Sequence, residues 1–304
     1  MAQAEKTTRF NHPSEIQLQP IHPSVGAEIS DVDLKTVSED EFAPIGRLFD
    51  QYSALLFRNQ KLNEDNLLRF SRFFGDLDEA PVNENGKTAV EGYPEIYVIS
   101  NIVGSNGKGV GSLGAGEASW HTDMSYLECP PRASLLYAVE IPPQGGNTWL
   151  AGMDAALDGM PGDLRRQIEG RRVKHDGTFN SGGFVRQGLD ANNDPLTCVG
   201  TFHPAICKHP QTGREVLFLG RRRNAYVEGL SLETSEALLD KLWAHATCSR
   251  FIYSHQWRVG DLLMWDNRAT LHRRDAFDLN ARRYMLRTQI KGDDRPAADF
   301  TSAA

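Results

Sequence analysis

Apolar positions along the 304-residue chain follow two patterns, and the two predict different elements. The first has helical spacing. Ser38 offers an N-cap with Glu41 three residues later, after which Phe42, Ile45, Leu48 and Phe49 share one face. Asn63 offers a second cap, before a stripe of Leu67, Phe70 and Phe74 that Gly75 ends. Asp154 to Gly170 reads as helix broken at Gly159 and Pro161, and Ser231 caps a helix carrying Leu238, Leu239, Leu242 and Trp243.

The second pattern is the short apolar run. Ile16 to Leu34, punctuated by Pro20, Pro23 and Gly26, reads as strands and turns. Runs at 54–57, 96–99, 134–139, 148–150, 251–253, 262–265 and 283–290 read as strands. Ser119 to Tyr126 reads as another, because Trp, Thr and Tyr suit a pleated surface. The region from Lys174 to Arg214 is turn-rich and yields no assignment. Gly104 to Gly116 holds six glycines in thirteen residues, which makes it a loop: a lid beside the site or a plain surface insertion. No regular β-α-β alternation appears. The expected fold is therefore mainly β with flanking helices, on a double-stranded β-helix (jelly-roll) core. One such domain is expected over 15–292, between a flexible N-terminus (1–14) and a flexible tail (293–304).

Composition narrows the function classes. A hydrophobic content of 40% and a charged content of 24% are those of a soluble globular protein. The net charge of −7 argues against non-specific nucleic-acid binding, which needs a basic face. No run approaches the roughly 18 apolar residues of a membrane span, and the first residues lack the apolar segment of a secretory signal. Cys129, Cys198, Cys207 and Cys248 form no Cys-x-x-Cys pair and read as reduced thiols of a cytoplasmic protein.

The chemistry starts at His121-Thr122-Asp123. On a strand, residues two apart point to one side, so an imidazole and a carboxylate meet. His272 supplies a candidate third ligand. Two His and one carboxylate leave three positions open on a metal, the arrangement of non-haem Fe(II) oxygenases. Further on, Arg283 and Arg287 share a strand face with Met285 between them. Two guanidiniums on the inner face of a barrel make sense if anions enter, since Arg suits bidentate recognition of carboxylate or sulfonate. Arg273, Arg274 and Arg282 read as solvated.

Five elements in order make the chain resemble the TauD/TfdA family of Fe(II)- and 2-oxoglutarate-dependent dioxygenases. They are His121-Thr122-Asp123, Gly145-Gly146-Asn147-Thr148, His209-Pro210-Gln211-Thr212-Gly213-Arg214, Trp265-Asp266-Asn267-Arg268 with His272, and Arg283 with Arg287. The resemblance implies that His121, Asp123 and His272 hold Fe(II). It implies that Arg283 and Thr148 meet the distal carboxylate of 2-oxoglutarate, and that Arg287 faces the anionic group of the primary substrate. Dioxygen is the other cosubstrate, and succinate and CO2 are released. A homo-oligomer, dimer or tetramer, is also implied. The taurine enzyme's sulfonate-holding His and Tyr are here Ala80 and Asn83, and an Asn four residues before the metal His is Glu117. These departures disfavour taurine and leave aryloxyalkanoates, alkyl sulfates, sulfonates and other small carboxylates open. Asp123 disfavours a halogenase, whose chemistry needs that carboxylate missing.

Two other readings suit the same ligands: a zinc hydrolase, and a non-catalytic jelly-roll module in which metal stabilises the fold. The pairing of Arg283 with Thr148 weighs against the hydrolase, which has no use for a second anion pocket beside its metal.

Overall fold

Both faces of most strands are apolar because both faces are covered. The computed structural model describes residues 16–80, 90–114, 116 and 118–299. In chain order the elements begin β1 (Gln17–Pro20), β2 (Ala27–Ser30), α1 (Glu39–Tyr52), β3 (Ala54–Phe57), α2 (Glu64–Arg72), β4 (Tyr97–Ser100), β5 (Ser112–Leu113) and β6 (Ala118–His121). Next come β7 (Ala133–Glu140), β8 (Thr148–Gly152), α3 (Met153–Asp158), α4 (Gly162–Arg166), β9 (Arg172–Asp176), β10 (Gly200–Pro204), β11 (Ile206–Lys208) and β12 (Glu215–Leu217). The last are β13 (Tyr226–Val227), α5 (Leu232–Ala246), β14 (Ile252–His255), β15 (Leu262–Asp266), β16 (Thr270–Arg274) and β17 (Tyr284–Ile290).

The large sheet runs β1-β2-β3-β15-β7-β17-β4-β5, and the facing sheet runs β14-β8-β16-β6. These are the two walls of the expected jelly roll. Alternation along the strands shows how the layers stack. Leu55 and Phe57 on β3, with Met264 on β15, pack outward against Phe49 of α1 and Phe70 of α2. Their neighbours Leu56, Leu263 and Trp265 pack inward, with Leu150 and Met285. Behind the smaller sheet, Ala151 and Leu271 meet Leu239 and Leu242 of α5.

The caps are as read from the sequence. Ser38 and Glu41 form a reciprocal capping box on α1, and Asn63 caps α2. The break between α3 and α4 falls at 159–161. Two expectations change. The strand expected through Tyr126 stops at His121. The chain turns there, with Met124 at φ 45°, and the Thr122 N–H donates to Gly220 O at 2.8 Å. The unassigned region after Lys174 holds β9, β10 and β11, and β9 and β10 pair antiparallel.

The glycine-rich segment folds back on itself, with Val110 N–H donating to Ile102 O at 2.8 Å, and β5 joins the large sheet beside β4. Residues 294–299 run irregularly past β11, where Lys208 N–H donates to Ala297 O at 2.8 Å. The N-terminal stretch 1–14, Asn83 and Glu117 lie outside the described residues. Among the described residues, no helix is long and apolar enough to cross a membrane.

Candidate metal centre and its two cavities

β16 pairs with β6 so that His272 lies opposite His121. Their ring centroids are 4.1 Å apart. The turn after β6 brings Asp123 to both: its Oδ1 is 3.5 Å from His121 Nε2 and 3.6 Å from His272 Nε2. The turn does what strand alternation was expected to do. All three residues are buried, and one ligand atom from each lies within 4.8 Å of the others.

His121 Nδ1 is 2.7 Å from Ser119 O. A carbonyl only accepts, so the ring proton sits on Nδ1 and Nε2 keeps its lone pair. Burial lowers the pKa of His121 and pushes that of His272 well below the ordinary value, with His121 beside it adding to the effect. Burial opposes the charge on Asp123, but Arg287 and then the imidazoles outweigh it and hold the carboxyl well below its usual range. Two neutral imidazoles and an ionised carboxylate form a donor set that fits Fe(II).

The second oxygen of Asp123 is spoken for. Asp123 Oδ2 accepts from Ser134 Oγ at 2.8 Å and from Arg287 Nη2 at 2.6 Å. Ser134 Oγ accepts from Asn267 Nδ2 at 3.2 Å, and Asn267 Oδ1 accepts from Trp265 Nε1 at 3.0 Å. The Trp265 ring lies 4.7 Å from that of His272, which closes the circuit on the ligands. The neighbouring Asp266 faces away from this circuit. It accepts from His209 at 3.0 Å and from Arg268 Nη2 at 2.5 Å, which ties the His209–Arg214 element to β15.

A narrow cavity of about 60 Å³ adjoins the ligands and is lined by His272, Thr148, Arg283, Arg274 and Arg287. Arg283 is 1% exposed, and among the described residues its Nε and Nη1 have no partner. Burial, helped by nearby Arg274, pushes its pKa down to about 9. A buried guanidinium without a carboxylate is costly, and an entering anion relieves that cost. Thr148 Oγ accepts from Trp257 Nε1 at 3.1 Å, which leaves the hydroxyl proton to donate. Gly145, at φ 75°, lets the preceding loop approach, since a Cβ there would lie 2.6 Å from Ala276 O.

A larger cavity of about 840 Å³ opens on the other side of His121 and Asp123. Arg287 lines both cavities. Arg274, expected in solvent, is buried and donates to Gly116 O. Arg273, also expected in solvent, is half-buried, lines the narrow cavity and pairs with Asp275 at 2.7 Å, while Arg282 pairs at the surface with Glu140 at 2.8 Å. The sequence reading gave no role to Ser134, Asn267, Trp257 or Arg221. Two local signals exist among them: Asn267 stands inside the Trp265-Asp266-Asn267-Arg268 motif, and Ser134 is a lone serine inside the apolar run of β7.

A family model described as "Taurine catabolism dioxygenase TauD, TfdA family" matches residues 17–289. The chain is 36% identical over 283 residues to the α-ketoglutarate-dependent 2,4-dichlorophenoxyacetate dioxygenase of Cupriavidus pinatubonensis, covering 90% of this chain and 97% of that protein. It is 28% identical to an alkylsulfatase of Acinetobacter baylyi, covering 88% of this chain and 82% of that protein. The crystal structure of AAD-2 in complex with Mn(II) and N-oxalylglycine matches with a TM-score of 0.74 at 26% identity, covering 93% of this chain and 100% of that one. The chain belongs to the TauD/TfdA family. It is a 2-oxoglutarate-dependent dioxygenase that uses Fe(II), 2-oxoglutarate (α-ketoglutarate) and O2, and the hydrolase and binding-module readings fall away.

Proposed function

We propose that His121, Asp123 and His272 hold the Fe(II), that Thr148 and Arg283 hold the distal carboxylate of 2-oxoglutarate, and that a small organic anion is hydroxylated from the larger cavity. The observation that carries this reading is the closure of the three ligands beside a buried guanidinium that has no carboxylate partner among the described residues. When bound, Fe(II) and 2-oxoglutarate supply the oxygen chemistry, with release of succinate and CO2. The chain supplies the rest. Ser119 fixes the tautomer of His121. Ser134 and Arg287 fix the carboxylate of Asp123. Trp257 holds Thr148 with its proton free for the cosubstrate. Arg287 keeps Nη2 on Asp123 and faces the anionic group of the substrate from between the cavities.

The substrate class is an aryloxyalkanoate, alkyl sulfate, sulfonate or other small carboxylate. Support comes from the dichlorophenoxyacetate dioxygenase and the alkylsulfatase among its relatives. Hydroxylation beside a heteroatom gives a product that falls apart, so cleavage of the ether or ester is the expected outcome. The test is a panel of such anions with Fe(II), 2-oxoglutarate and air, reading succinate. Without oxygen, the same mixture lacking substrate should give a weak visible charge-transfer band. A protein that shows neither the band nor succinate does not work this way. A cytoplasmic homo-oligomer, dimer or tetramer, belongs to the proposal, and light scattering on the purified chain would return a monomer mass if that part is wrong.

A further inference from the structure

The larger cavity holds a second buried cation, which Asp123 of the ligand set supports in part without pairing with it. Arg221 follows β12 and forms an isolated bridge with His121, so its backbone lies directly across from a ligand. The residue is 6% exposed and lines the cavity wall. Its Nη1 donates to Phe179 O, and its buried Nε has no partner among the described residues. Among the described residues no carboxylate lies within 4.0 Å of it, whereas its neighbours Arg222 and Arg223 are used at the surface: Arg222 on Glu236 and Asp240, Arg223 on Asn193. Arg186 lines the same wall, with its guanidinium 4.3 Å over the Tyr126 ring and its own Nε unpartnered. The two cations are close enough for Arg186 to help burial push the pKa of Arg221 down to about 10.

Asp123 and Asp176 lie near enough to support the charge of Arg221 in part, but among the described residues neither pairs with it, and two adjacent guanidiniums repel each other. A planar or tetrahedral oxyanion relieves both at once, because each fork can give it parallel hydrogen bonds. The rest of the wall describes the body attached to that anion. Met124, Tyr126 and Phe184 line the cavity, and Phe184 is 69% exposed. Asp78, Glu79 and Glu95 line the cavity as well, and they disfavour a second negative charge on the substrate.

We propose that Arg221 and Arg186 form the clamp for the charged group of the primary substrate, which is a monoanion with an aromatic or alkyl body. This rests on the reading of the larger cavity as the substrate site. It divides the labour among the arginines: Arg287 braces Asp123 and reaches the anion from the metal side, while Arg221 and Arg186 set charge selectivity from the far wall.

The experiment compares an acid with its neutral ester. Load wild type, Arg221→Gln, Arg221→Lys and Arg186→Gln with Fe(II) and 2-oxoglutarate in the absence of oxygen. Titrate 2,4-dichlorophenoxyacetate, its methyl ester and hexyl sulfate by calorimetry. Wild type should prefer the acid to the ester by about thirtyfold or more, the scale of charge-assisted hydrogen bonds. Arg221→Gln should lose at least about tenfold of that preference, Arg221→Lys less, and the more exposed Arg186→Gln should lose a smaller share while folding normally. A tether for the Phe179 loop alone would weaken acid and ester together and leave their ratio unchanged. An unchanged ratio in both glutamine variants overturns the clamp. So does a wild type that binds neither the acid nor hexyl sulfate. Binding here needs no turnover, so a failure to release succinate in air would count against the proposed reaction and not against the clamp.

Discussion

His272→Ala should abolish succinate release while the protein still unfolds cooperatively on heating. The ring sits on β16 at the centre of the smaller sheet, yet its Nδ1 has no partner and its neighbours are Trp265 and His121. The strand pairing around it is backbone, and the apolar clusters on either side hold without it. On the proposed reading, what the variant loses is one of three metal donors. Removing an outer partner of a ligand typically costs about 10–100-fold in metal affinity or activity, and a ligand itself should exceed that. Ser134→Ala and Asn267→Ala should fall inside that range, and His121→Ala and Asp123→Ala should behave like His272→Ala. Mn(II) binding followed by electron paramagnetic resonance reads the metal independently of turnover. If His272→Ala binds Mn(II) as wild type does, the third ligand has been assigned wrongly.

The next largest effect is expected at Arg283. Arg283→Ala removes the charged fork from a dry cavity and leaves the cosubstrate carboxylate unpaired, a loss of about 2–5 kcal/mol. That corresponds to roughly thirtyfold to a few thousandfold in the 2-oxoglutarate constant. Thr148→Val removes one neutral hydroxyl and should cost about 0.5–1.5 kcal/mol, roughly two- to twelvefold. Trp257→Phe keeps the hydroxyl but frees it to turn, so its effect should be smaller again. Thermal unfolding gives a second readout. 2-oxoglutarate with metal should raise the midpoint of wild type and hardly move that of Arg283→Ala. Equal shifts for the two proteins would move the distal carboxylate elsewhere.

How far the sequence could be read depended on whether the determining contacts were local. Caps are local, and Ser38, Asn63 and Ser231 start helices as their neighbours dictate. Continuous apolar runs such as 54–57 were readable as strands covered on both faces. The strands β9 to β11 were not, because they are three to five residues long and separated by turns. The end of β6 was missed because a backbone bond to Gly220, about a hundred residues downstream, sets it. The proposed ligand residues stand in recognisable motifs, but the circuit around them joins residues far apart in the chain. Asp123 and Arg287 are 164 residues apart in the chain. Arg221 was hidden in a run of three arginines, of which the other two are the solvated face such a run usually signals. Arg274 was misread for the same reason: charge alone does not tell which side of a strand edge faces a cavity.

The split between the two oxygens of Asp123 has a consequence for denticity. Oδ1 faces both imidazoles, while Oδ2 is occupied by Ser134 and Arg287. A carboxylate that chelated through both oxygens would fill a place in the coordination sphere that a cosubstrate needs. In the proposed centre the side chain can offer only one oxygen without breaking two hydrogen bonds, one of them charged. The protein thus rations its own ligands. On the proposed reading, Ser134 and Arg287 touch no metal themselves, yet they would leave the ion a place for the molecules it gathers.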